Sequence, residues 1–113
     1  MREEYLYLND ILQAIEKILK FTEGMAFEDF KNDILVFDAV ARNFEIVGEA
    51  SIQLSDKIKA DYEDIPWQKM RSMRNIVAHE YFGLDKKIIW TTIQKAIPEL
   101  KDKISNILKE LES

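Results

Sequence analysis

The chain has no cysteine, which removes disulfides, thiolate zinc sites and cysteine nucleophiles at once. A reducing cytoplasm suits such a protein. It has one histidine, His79, so no metal site can be built from several histidines of a single chain. With three glycines and two prolines in 113 residues, and no stretch that alternates polar and apolar residues, little interrupts helix and nothing marks a strand. No segment approaches the roughly 18 consecutive apolar residues of a membrane span. The opening MREEYLYLND puts acids ahead of any apolar run, unlike an export signal. The expectation is a soluble, all-α protein of one domain, residues 1–113, with no membrane partner, no metal and no cofactor.

Positive charge is outnumbered, 16 Lys and Arg against 21 Asp and Glu. The formal net charge is −5, which argues against broad binding of nucleic acid through a basic surface. Its distribution is uneven, however. Between Pro66 and Trp90, Lys69, Arg71, Arg74, Lys86 and Lys87 stand against Glu80 and Asp85 alone, so the positive charge gathers around the one histidine.

The apolar residues that are present recur at helical spacing. Leu8, Ile11, Leu12, Ile15, Ile18 and Leu19 mark a first amphipathic helix that Gly24 can end. A longer second helix is predicted from about Phe27 to Leu54. Its core stripe reads Ile34, Phe37, Val40, Ala41, Phe44, Val47, Gly48 and Ile52, and a second stripe carries Asp38, Arg42, Glu45 and Glu49. Gly48 in mid-helix costs about 1 kcal/mol relative to alanine, a cost most simply offset by the close approach of another helix. Ser55 can cap a short helix to about Tyr62, and Pro66 suits the first turn of the next, whose apolar face carries Trp67, Met70, Met73 and Val77. Gly83 makes a turn and Asp85 a candidate cap for the last helix, which runs through Ile88, Ile89, Ile93, Ile97, Leu100, Ile104, Ile107 and Leu108 with a kink or break expected at Pro98. The tail from Lys109 is expected to fray.

The chemistry sits in the run MRNIVAHEY, Met73 to Tyr81. On a helix, Arg74 and Tyr81 share one face while Asn75 and His79 stack on the next. Arginine offers a planar fork of donors for phosphate oxygens, and histidine exchanges a proton near neutral pH because its unperturbed pKa is about 6.5. Together they could activate a 2′-hydroxyl or protonate a leaving oxygen while the arginine holds the developing charge. Spacing alone leaves the bland alternative open, with His79 a helix-terminal histidine bonded to a nearby carbonyl and Arg74 a solvated cation. Met70 and Met73 read as packing residues.

Arg74, His79 and Tyr81 form an RxxxxHxY pattern that resembles the motif of the HEPN superfamily, and in particular of its HepT toxins. The segments ARNFEIVGEA (Ala41 to Ala50), IPW (Ile65 to Trp67), YFGLD (Tyr81 to Asp85), Trp90 and IPEL (Ile97 to Leu100) are similar to the same family, so the resemblance covers nearly the whole chain. Glu80, an acid between His79 and Tyr81, is a departure. The resemblance implies a bundle of about five helices that forms a symmetric homodimer, with motif helices from two subunits meeting across a cleft. It implies a metal-independent endoribonuclease with Arg74 and His79 catalytic, Asn75 and Tyr81 supporting, and Lys69 and Arg71 as candidate RNA contacts. It implies as partner an MntA-type nucleotidyltransferase antitoxin that AMPylates Tyr81. The lone histidine supports the dimer separately, because metal-free cleavage benefits from both a base and an acid and a two-fold axis near His79 supplies a second imidazole. Two other functions stay open at this stage: a non-catalytic module that binds a nucleotide or docks the nucleotidyltransferase, and a purely structural helical dimer.

Overall fold

A computed structural model describes residues 2–80 and 85–112, except for the side chains of residue 2 and of residues 76–80. The expectations placed on Val77 and Glu80 side chains, on Tyr81 and on the Gly83 turn lie outside the described residues. Helix accounts for the regular structure, with seven helices and no strand among the described residues. The sequence led us to expect about five. The two extra helices arise because each long apolar series is broken once, for a local reason in each case.

Helix α1 (Arg2–Phe21) buries Leu8, Ile11, Ala14, Ile15 and Ile18 along one stripe, as the spacing requires. Glu3 and Glu4 in its first turn and Lys20 in its last complement the helix dipole. The chain then turns at Gly24, whose φ of 76° is a left-handed conformation that a residue without a β-carbon adopts readily.

The predicted second helix is divided at Asp33 into α2 (Phe27–Asn32) and α3 (Ile34–Gln53). Asp33 leaves the helical conformation, and its carboxylate accepts the Val36 N–H at 3.0 Å, so its side chain starts a new helix instead of continuing the old one. The break lets Phe30 bury itself fully against Phe37 and Trp90, at ring-centroid distances of 5.8 and 5.2 Å. It also corrects the expected core stripe, because Ile34 now lies on the surface, 70% exposed, beside Leu35 at 79%. From Phe37 to Gly48 the stripe is buried as expected.

Helix α4 (Asp56–Asp61) begins where Ser55 was expected to cap it, with the Ser55 hydroxyl accepting the Ile58 N–H at 3.2 Å. The Glu4 carboxylate accepts both the N–H and the hydroxyl of Ser55, tying the start of α1 to this turn. Pro66 immediately precedes α5 (Trp67–Glu80), and its carbonyl accepts the Met70 N–H at 3.0 Å. The Trp67 indole N–H donates to the Tyr62 carbonyl, which fixes the entry to that helix.

Asp85 caps α6 (Lys86–Gln94) by accepting the N–H groups of Lys87 and Ile88. The break expected at Pro98 falls three residues earlier, at Lys95, so Pro98 sits in the first turn of α7 (Ala96–Glu112), where no N–H is needed. Of the last apolar series only Ile88 is exposed. The tail does not end early: α7 continues to Glu112, and the Tyr5 hydroxyl donates to the Glu112 carboxylate at 2.9 Å. The Tyr62 hydroxyl donates to Glu110 at 2.6 Å, and the pKa values of both phenols are raised by these hydrogen bonds to carboxylates.

Helix α3 lies between α1 and α5, α7 covers another side of α1, and α6 rests on α7 and α2. Among the described residues no helix is long and apolar enough to cross a membrane. This arrangement leaves α5, the motif helix, packed chiefly on α3.

Candidate active site

The site is set by how closely α5 approaches α3. Gly48 is buried at the crossing, and a β-carbon there would lie 2.6 Å from the Arg74 β-carbon, 2.7 Å from the Arg74 backbone nitrogen and 3.0 Å from the Met70 carbonyl oxygen. Real β-carbons do not sit that close to backbone, so only glycine lets these two helices meet in this register. The close approach expected from the sequence is therefore present, and its partner is the arginine of the motif.

From that contact the Arg74 side chain reaches the surface, 46% exposed, with Nε 3.8 Å from a carboxylate oxygen of Glu49, itself 51% exposed. An ion pair this open to water contributes little to stability. It bears instead on where the guanidinium points. Arg74 and Glu49 line an open cleft of about 630 Å³, with Ile46 among its apolar lining and Tyr7, Asp10 and Gln53 on its other walls.

The other sequence-predicted residues divide into three groups. Lys69, Arg71 and Asn75 are on α5 and exposed, within reach of solvent as candidate substrate contacts must be. Met70 is buried and Met73 and Trp67 pack against the core, as read from the sequence. His79 belongs to α5, five residues beyond Arg74 and so roughly 7.5 Å further along the helix axis, but its side chain lies outside the described residues, as does Tyr81 altogether.

Two of the five cations counted around the motif have other partners. Lys86 Nζ donates to the Lys31 carbonyl at 2.9 Å and lies 4.9 Å from the centre of the Phe37 ring, and Lys87 Nζ lies 4.4 Å from that of Phe27. They brace α6 against α2 and α3. That leaves Lys69, Arg71 and Arg74 as the basic residues α5 itself presents.

Sequence reasoning missed Tyr7, Asp10 and Gln53, because they come from α1 and from the end of α3 and meet Arg74 only through packing. Glu49 was visible as a member of a charged stripe but not as the partner of the motif arginine. The signal that could have found it was its place next to Gly48, since the residue beside a point of closest helix approach flanks whatever the other helix presents there.

The chain matches the family model described as Ribonuclease HepT-like over residues 11–107. A protein of Thermococcus cleftensis named a probable ribonuclease HepT is 43% identical over 103 residues, covering 91% of this chain and 94% of its own. A protein of Caldanaerobacter subterraneus subsp. tengcongensis, named as a candidate RNase, is 39% identical over 104 residues, 92% of this chain and 93% of its own. Another from Methanocaldococcus jannaschii, also named as a candidate RNase, is 35% identical over 111 residues, 98% of this chain and 92% of its own. No solved structure matches the chain.

Proposed function

The chain belongs to the Ribonuclease HepT-like family, and from that premise we propose that it is a metal-independent endoribonuclease toxin in which Arg74 and His79 act on the RNA phosphate. The observation that carries this reading is the placement of Arg74. A glycine in mid-helix holds the arginine's backbone tightly while its guanidinium is half open to a cleft, an arrangement suited to binding an anion from solution. Ribonuclease activity is also what the relatives' names carry.

In the proposed reaction the 2′-hydroxyl of the substrate attacks the adjacent phosphorus in line. His79 takes the hydroxyl proton or gives one to the departing 5′-oxygen, and the guanidinium of Arg74 bears the charge that builds on the phosphate oxygens. The P–O5′ bond breaks and a 2′,3′-cyclic phosphate end remains. A symmetric homodimer with its two-fold axis near the motif helices brings a second His79 to the same cleft, so that one imidazole serves as base and the other as acid. Lys69 and Arg71 extend the contact along the RNA backbone and Asn75 supports the site.

Control is by a nucleotidyltransferase antitoxin. The Tyr81 hydroxyl loses its proton and attacks the α-phosphorus of ATP, pyrophosphate leaves, and the AMP on Tyr81 blocks the cleft by charge and bulk.

The test is incubation of the purified protein with RNA in EDTA, comparing wild type with His79→Ala. Cleavage to cyclic phosphate ends by wild type alone is the expected result. Binding of RNA or nucleotide without cleavage would replace this reading with that of a non-catalytic module.

A further inference from the structure

We propose that Glu49 is the positioning residue for Arg74, holding the guanidinium at the edge of the cleft so that it meets the substrate phosphate in one orientation. This rests on the ribonuclease reading above for what Arg74 does, but the contact itself does not depend on that reading.

Three observations converge on Glu49. Gly48 fixes the origin of the arginine side chain, because its missing β-carbon allows α5 to press Arg74 against α3. Glu49 is the next residue in the chain and flanks that contact, with its carboxylate 3.8 Å from Arg74 Nε. On the same α3 face Arg42 pairs within the helix with Glu45 at 2.7 Å, one turn before Glu49. Among the described residues, it is Glu49 of that pair of glutamates that crosses to α5.

The chemistry of the contact suits positioning. Arginine has a long, flexible stem, and a half-exposed guanidinium without a partner would sample many directions at a cost in ordering when substrate binds. The carboxylate lies nearest Nε, on the stem side of the guanidinium, at 3.8 Å, a charge contact longer than a hydrogen bond, so it does not take up the terminal amino groups that grip a phosphate in two-pronged fashion. Its exposure keeps the pair weak, so it directs the arginine without locking it away from an incoming anion. A carboxylate there also repels RNA. Affinity is therefore lowered for the sake of orientation, which predicts a particular kinetic signature.

The experiment compares wild type with Glu49→Gln, which keeps the shape and removes the charge, using steady-state cleavage of a short single-stranded RNA. The expected result is a kcat lower by about tenfold to a hundredfold, the scale of a misplaced catalytic group, with KM unchanged or smaller because a negative charge has left the cleft. A second readout is independent of activity: the Arg74 Nε–H resonance in a nitrogen–proton NMR spectrum, whose chemical shift should move in Glu49→Gln as the neighbouring negative charge is removed. An unaltered kcat, whatever the KM, or an unaltered Nε–H resonance overturns the proposal. Should wild type not cleave RNA at all, the ribonuclease reading fails, while the NMR comparison still decides whether Glu49 holds Arg74.

Discussion

The β-carbon that Gly48 lacks would lie 2.6 Å from the β-carbon of Arg74, so the motif arginine stands against the one residue type that leaves it room. Helix propensity and packing oppose each other at this position. Alanine would gain about 1 kcal/mol as a helix former, and forcing a methyl into a closed contact typically costs 1–3 kcal/mol.

Because the atoms in the way are backbone as well as side chain, Gly48→Ala is expected to fall toward the costly end, with a net destabilisation of up to about 2 kcal/mol. Urea denaturation measures it. The same variant should cleave RNA poorly, since α5 can make room only by moving Arg74. Undiminished stability together with full activity would show that the contact is not needed.

Arg74→Ala and His79→Ala should each lower RNA cleavage by 10²-fold or more, the lower end of what acid–base catalysis supplies. The Arg74 side chain is half in solvent and its ion pair is weak, so its removal should leave the melting temperature near that of wild type. A loss of activity well below tenfold, or loss of helicity by circular dichroism, would argue for a structural role instead.

Tyr81→Phe should retain appreciable ribonuclease activity and escape the antitoxin. Intact-mass measurement after incubation with ATP and the partner nucleotidyltransferase should show an added adenylyl group on wild type and none on the variant. A modified Phe variant would place the acceptor elsewhere.

Phe30→Ala should cost about 3–5 kcal/mol, the range for emptying a buried aromatic site. Phe30 is fully buried between Phe37 and Trp90, and so joins α2, α3 and α6. Thermal unfolding reads the loss, and a shift of less than 1 kcal/mol would mean that the cluster repacks.

What could be read from the sequence was what short-range chemistry decides. Ser55 and Asp85 cap helices because a side-chain oxygen two or three residues before a free N–H needs no help from the rest of the fold. Asp33 uses the same chemistry but was hidden, because apolar residues continue at helical spacing on both sides of it. Ile34 shows the consequence: once the helix restarts, periodicity counted from Phe27 no longer says which side faces the core. At the site, Arg74 was legible from the motif and the close approach from Gly48. Tyr7, Asp10 and the role of Glu49 were not, since no local pattern says which helix α5 will meet.

The Tyr5–Glu112 hydrogen bond joins residues 107 apart, and α1 packs on α7. Bringing these two together closes a loop of 107 residues, and that entropy must be met before the contacts return anything. On the ribosome α1 emerges before α7, with Leu8, Ile11, Ile15 and Ile18 lacking the helix that finally covers part of them. A nascent or truncated chain without α7 therefore leaves part of the α1 apolar stripe exposed, open to chaperones and proteases. The arginine cleft takes Tyr7 and Asp10 from α1, so two of its walls rest on a helix whose cover is completed only by α7.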